Sequence, residues 1–172
     1  MTPETPSPSE TFLSISLRPE DEKDEACLLA VYASTRAEEI ALTGWDHSTH
    51  WQFIEMQFKA MRKGYAASFP QAKFLIILLD GQPIGRVVVN QNDREIRIVD
   101  MALLSEHRGK GISTHLMQIW RDEALQCGKP LRLRVVRGTR PANWYRRLGF
   151  VPVGDDEDGV YDHLEFTGKS AV

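Results

Sequence analysis

The sequence predicts an α/β domain layered around a mixed, mostly antiparallel central sheet, with helices on both faces. Three observations carry that reading. Apolar runs of strand length alternate with longer amphipathic runs of helical period. Three strand-like runs follow one another through the short turns "DGQ" and "QNDR", as antiparallel neighbours do. Those runs are nearly continuous in apolar residues, as strands covered on both faces are.

The elements follow in order. "TFLSISLR" alternates as a first strand. Pro19 at a first helical position, with Glu20, Asp21 and Glu22 behind it, opens a helix that runs to about Leu42. "TGWDHS" breaks it, and Ser48 or Thr49 caps a second helix. Trp51, Ile54, Phe58, Met61 and Tyr65 give that helix one apolar face. "KFLIILL" and "PIGRVVV" form a hairpin about "DGQ", and "EIRIVDMALL" is the next strand. A helix from Gly111 to about Gln126 presents Ile112, Leu116, Ile119 and Trp120, and Gly128 stops it. "LRLRVV" is a strand and "RPANWYRRL" a short helix between Pro141 and Gly149. "FVPV" and "GVYDHLEF" close the domain around the acidic turn "GDDEDG".

The 172 residues suffice for one domain with a sizeable core, and no internal repeat or linker divides them. Residues 1–10 read as a disordered tail rich in Pro, Ser, Thr and Glu, without the basic and apolar regions of a signal peptide. Residues 11–172 form the domain. A net charge of −3 gives no electrostatic basis for nucleic-acid binding, and no apolar run reaches the roughly 20 residues of a membrane helix. The two cysteines, Cys27 and Cys127, lack metal-ligand spacing. They read as buried, reduced thiols in a cytoplasmic protein that needs no metal.

The stretch "SEHRGKGIS" places two glycines and two cations between a strand and a helix. The backbone N–H groups left unpaired at a helix start, with the helix dipole, make a site for phosphate. Gly109 and Gly111 admit a close ligand, Arg108 and Lys110 add charge, and Ser113 and Thr114 offer hydroxyls. The residue after Lys110 is glycine, so this is no P-loop. The spacing also differs from that of a dinucleotide fingerprint.

"ALLSEHRGKGIS" resembles the acetyl-CoA pyrophosphate loop of the GNAT superfamily of N-acetyltransferases. That pattern is Arg or Gln, two residues, Gly, one residue, then Gly or Ala. Arg108, Gly111 and Ser113 occupy those places, and Ser113 departs from the usual residue while staying small. "NWYRRLGF" is similar to a second family pattern, Tyr, three residues, then Gly-Phe, matched by Tyr145, Gly149 and Phe150. The element order agrees from about Thr11 to Phe166. The family often has Asn six or seven residues before the Tyr, where this chain has Gly138 and Thr139.

The resemblance implies acetyl transfer from acetyl-CoA to a primary amine of a small molecule, an amino acid or a protein, by direct attack. Acetyl-CoA would be held by Leu103, Arg108, Gly109, Lys110, Gly111, Ile112, Ser113 and Thr114. The main-chain N–H of Leu103, freed by a β-bulge, would bond the thioester carbonyl. Tyr145 would protonate the departing thiolate. Asp100 stands where the family often has an acidic residue and is the candidate base, beside Glu95 and a water chain. An aspartate in an apolar strand has an equally good structural explanation in an ion pair with Arg86 or Arg97. The acceptor would enter near the connection of the first two helices, around Glu38, Glu39, Trp45, Asp46, His47 and His50. The acidic run Asp155 to Asp158 is a solvated turn or an attractor of basic substrates. Exposed apolar sheet edges in this architecture allow a homodimer. The alternative from another class is a non-catalytic acyl-CoA-binding sensor, and a third reading is a structural domain whose loop is only a turn.

Overall fold

The computed structural model describes residues 14–168. The expected tail at residues 1–10 and the start of the first strand lie outside them. Seven strands form the sheet in the order β1-β2-β3-β4-β5-β7-β6: β1 Ile15–Pro19, β2 Lys73–Leu79, β3 Gln82–Gln91, β4 Ile96–Leu103, β5 Leu131–Val136, β6 Val151–Asp155 and β7 Tyr161–Phe166. Four α-helices intervene: α1 Glu25–Ala41, α2 His47–Ser68, α3 Ile112–Cys127 and α4 Arg140–Arg147. The pairs β1–β2, β5–β7 and β6–β7 are antiparallel, and β4–β5 is parallel. The order of elements is the one the sequence predicts. Residues Ile84 to Asn90 of β3 are buried one after another, so this strand is covered on both faces. Among the described residues, no helix is long and apolar enough to cross a membrane.

The chain forms two compact units. The first holds the described residues up to Val88 together with Asp100–His115, and the second holds Val89–Val99 together with the described residues from Leu116 on. In the first unit, Asp80 and Gly81 take φ of 51° and 77°, the left-handed pair of a type I′ turn that suits the twist of the β2–β3 hairpin. Leu28, Tyr32 and Ile40 of α1 pack with Ile54 and Phe58 of α2 and Ile76 of β2. Truncating Phe58 to Ala in this cluster would cost about 3–5 kcal/mol.

Several local expectations are corrected here. Pro19 ends β1 rather than opening a helix. Two residues on, Asp21 caps a 3₁₀ turn, Glu22–Asp24, through a capping box with Asp24, and α1 starts at Glu25. The cap of α2 is Asp46, whose Oδ1 accepts the N–H groups of Ser48 and Thr49 at 2.9 and 3.1 Å. A carboxylate two residues upstream outcompetes the hydroxyls because it takes both orphan donors.

In the second unit, β5 alternates strictly. Leu131, Leu133 and Val135 are buried, and Leu131 and Leu133 lie between Ile96 and Ile98 of β4 and Phe166 and Leu164 of β7. On α3 the buried face includes Leu116, Met117, Trp120 and Ala124, whereas Ile119 is 47% exposed. Ile112, Leu116 and Trp120 are buried as the sequence predicts, and Met117 rather than Ile119 completes the face. Cys127 is exposed and Cys27 half-buried, so neither is the core thiol expected.

Candidate functional site

The glycine stretch follows the end of β4. A 3₁₀ turn at Ser105–His107 closes with the N–H of His107 on the Leu104 carbonyl at 3.0 Å and the N–H of Arg108 on the Ser105 carbonyl at 3.2 Å. Gly109 and Gly111 then take φ of 71° and 80°, on either side of Lys110, whose φ is not positive. This alternation turns successive N–H groups toward one side, as in an anion-binding nest. The first turn of α3 follows directly, and the N–H groups that open a helix point out of its end. A Cβ added at Gly109 would meet no atom within 4 Å, so the space beside it is open. Open space, convergent donors and two cations fit a phosphate-bearing ligand. Glu106 is the one carboxylate in the turn. Its own backbone N–H first, with the Ser105 hydroxyl, His107 and Lys110 in support, holds its carboxyl below the ordinary value against the opposing effect of desolvation.

Arg108 is not loose in solvent. Its Nε donates to the Leu103 carbonyl at 2.9 Å, and its Nη2 donates to the Ser34 Oγ of α1 at 2.6 Å. Leu103 itself is buried at the end of β4. Gly85 of β3 lies against it: a Cβ at Gly85 would fall 2.5 Å from the Ala102 carbonyl oxygen and 3.2 Å from the Leu103 Cα. Just beyond, the N–H of Leu104 bonds the Ile84 carbonyl at 2.9 Å. Sequence reasoning passed over Gly85, although a lone glycine inside an apolar strand signals close backbone approach.

Asp100 has the structural partner foreseen for it. Its Oδ2 accepts Arg86 Nε at 2.6 Å, and Arg86 is buried with its guanidinium 5.6 Å from the Tyr32 ring centroid and 5.8 Å from that of Phe58. Tyr65 of α2 belongs to the same surroundings. Burial, and then the nearby Asp100 charge, push its phenol up to about 12. Glu95, the other carboxylate of this strand, lies in the second unit and is bound by Arg97 at 2.7 Å and Arg132 at 3.0 Å. Burial alone would raise its carboxyl, but these two arginines outweigh that and hold it below the ordinary value. Glu95 is a member of an ion-pair network that also takes in Glu165.

The first helix-helix connection holds a cavity of about 450 Å³ in the first unit. Ala33, Ser34, Ala37 and Ile40 of α1 line it, with Trp45 and His50. The Nε2 of His50 is buried without a hydrogen-bond partner among the described residues, and its ring stacks on Trp51 at an interplanar angle of 7°. The other residues named at this connection are occupied elsewhere or absent from the wall. Asp46 caps α2, Glu39 binds Arg36 at 3.0 Å, His47 Nε2 accepts Trp51 Nε1 at 2.9 Å, and Glu38 is exposed.

Tyr145 lies in the second unit, half-buried on α4, with its ring edge-on to Phe150 at 5.6 Å between centroids. Thr139 caps α4 by accepting the Ala142 N–H, and Gly138 takes φ of 73°. The two positions that depart from the family's asparagine thus turn the chain and start the helix. The acidic turn is largely spent on ion pairs. Asp155 binds Arg137 at 2.6 Å, and Asp156 pairs with Arg134 and with His163. His163 first, then Arg134, hold the Asp156 carboxyl below its ordinary range. Among the described residues, no group of three or more His, Cys, Asp or Glu side chains is placed to hold a metal ion.

Residues 70–152, which contain both sequence patterns, match the family model described as the acetyltransferase (GNAT) domain. No curated protein matches the sequence. Among solved structures, the PaiA N-acetyltransferase of Thermoplasma acidophilum in complex with coenzyme A is 19% identical, with a TM-score of 0.62 over 90% of this chain and 99% of that one. An acetyltransferase from Thermus thermophilus is 17% identical, with a TM-score of 0.61 over 91% and 98%. A GNAT family acetyltransferase from Elizabethkingia anophelis with acetyl-CoA bound is 12% identical, with a TM-score of 0.56 over 90% and 98%. These likenesses carry the fold of the chain, and its segment 70–152, which holds both the glycine turn and the Tyr-x-x-x-Gly-Phe segment, belongs to the GNAT acetyltransferase domain family.

Proposed function

We propose that the protein is an acetyl-CoA-dependent N-acetyltransferase that acts on a primary amine. The observation that carries this reading is the open, doubly left-handed loop Gly109–Gly111 after the 3₁₀ turn that follows β4, with Arg108 before it and Lys110 within it. Its N–H groups and those of Ile112, Ser113 and Thr114 suit a pyrophosphate, which needs many donors and positive potential. Lys110 and Arg108 supply the charge. The main chain at Leu103, where β4 ends, is the proposed donor to the thioester carbonyl.

The chemistry balances in one step. The amine nitrogen forms a bond to the acetyl carbon while the carbon–sulfur bond breaks. The sulfur leaves with its electron pair and takes a proton from Tyr145, whose class of side chain is protonated at neutral pH. The proton lost by the amine goes to Asp100 or to water. The cavity beside Ser34, Trp45 and His50 is our proposed place for the body of the acceptor. It is of small-molecule size and its wall is mostly apolar. The test is release of free CoA from acetyl-CoA with a panel of amines. Amine-dependent release supports the enzyme, and binding of acetyl-CoA without release by any amine supports a sensor.

A further inference from the structure

Arg108 is held by neutral partners alone. Its Nη2 and Nη1 reach the Oγ and main-chain carbonyl of Ser34 at 2.6 and 3.4 Å, and its Nε reaches the Leu103 carbonyl at 2.9 Å. Among the described residues, no carboxylate pairs with this guanidinium. The Ser34 hydroxyl is itself oriented, because it donates to the Val31 carbonyl one turn earlier at 2.7 Å. With its proton committed there, the Ser34 oxygen presents lone pairs to Arg108. The cation is thus fixed in direction without being neutralised.

We propose that Ser34 is a positioning residue for cosubstrate binding: it preorganises Arg108 so that the full charge faces the phosphate loop. This rests on the proposed reading of the loop as the acetyl-CoA cradle. An arginine side chain free to rotate loses much of its affinity gain to ordering when it captures a phosphate. A carboxylate partner would order it equally well but cancel its charge. A serine hydroxyl locked by its own helix orders the arginine and leaves the charge intact. Ser34 also lines the cavity proposed for the acceptor, so its effect on the cosubstrate is read as acetyl-CoA affinity with no amine present.

A double-mutant cycle tests this. Acetyl-CoA is titrated calorimetrically into the wild type, Ser34→Ala, Arg108→Ala and the double variant, and a phosphate-free pantetheine thioester into the first two. We expect Ser34→Ala to weaken acetyl-CoA by about 3–10-fold, the range for loss of one typical hydrogen bond, because the lost bond acts on the ligand only through Arg108. We expect no further loss when Ser34→Ala is added to Arg108→Ala, no loss for the pantetheine thioester, and recovery in Ser34→Thr, which keeps the hydroxyl. An unchanged affinity in Ser34→Ala overturns the proposal, as does an equal loss in the Arg108→Ala background or for the phosphate-free thioester. If Arg108→Ala itself binds acetyl-CoA as the wild type does, the reading of the loop fails, and the proposal fails with it.

Discussion

Arg86 Nε lies 2.6 Å from Asp100 Oδ2 in the first unit, with the arginine side chain 4% and the aspartate side chain 18% exposed. The Nη1 of Arg86 is buried without a partner among the described residues, so the aspartate is its only compensating charge there. Asp100→Asn removes that charge and leaves a buried cation. We expect a loss of about 3–5 kcal/mol in denaturant titration, and part of it restored in the apolar pair Arg86→Met/Asp100→Leu. If Asp100 also takes the amine's proton, folded Asp100→Asn loses the acidic limb of the kcat/KM pH profile. A limb that stays in place gives that proton to water.

Gly85→Ala would drive a methyl into the Ala102 carbonyl and the Leu103 side chain. Both neighbours belong to the strand end that precedes the loop. Overpacking of this kind costs about 1–3 kcal/mol. We expect a lower Tm and, in the folded protein, a kcat reduced more than the affinity for acetyl-CoA, because the Leu103 main chain shifts. A variant with wild-type Tm and kcat would show that the strand end tolerates displacement.

The glycine turn at residues 109–111 was legible in the sequence because glycine takes the left-handed conformation most readily, and Gly109 and Gly111 are both left-handed. Fold order was legible for a related reason: Asp80-Gly81 sets its hairpin locally. Ser34 and Gly85 were not. Ser34 lies more than seventy residues from Arg108 in sequence, and nothing local marks a helical serine as its partner. Asp21 and Asp46 were missed as caps because several adjacent polar residues compete for one helix start, and only the backbone angles decide among them.

Gly109→Ala separates backbone strain from ligand contact. Its new Cβ meets nothing in the protein, and the same holds for Gly81→Ala in the hairpin turn, where φ is also positive. Both variants should lose about 1–2 kcal/mol of stability from the left-handed backbone. Only Gly109→Ala should also weaken acetyl-CoA, by tenfold or more in calorimetry (~1.4 kcal/mol). Gly111→Val is a poorer probe, because φ of 80° strains any β-branched residue there.

Asp24 ties β1 to the start of α1. Its carboxylate accepts two bonds from Arg18, at 2.6 and 2.7 Å, and the Asp21 N–H at 2.9 Å. Arg18 first, then the Asp21 N–H, hold the Asp24 carboxyl below its ordinary value, against burial. A depressed carboxylate stabilises the fold above its unfolded pKa, about 3.9, and that stability is lost as pH falls through the lower folded value. Asp24→Asn should therefore lower Tm at neutral pH, and the gap from the wild type should narrow below about pH 4. A gap that is constant from pH 7 to pH 2 would assign the effect to packing.

Tyr145→Phe bears most directly on catalysis. The substitution keeps the ring that packs against Phe150 and removes only the hydroxyl. The measurement is amine-dependent CoA release by both forms, alongside their acetyl-CoA affinity. An N-acetyltransferase that uses Tyr145 as its acid should show kcat falling by about 10²–10⁴-fold with affinity nearly constant. Wild-type protein that binds acetyl-CoA but releases no CoA with any amine would contradict the enzymatic reading, and an unchanged kcat in the variant would take the acid role from Tyr145.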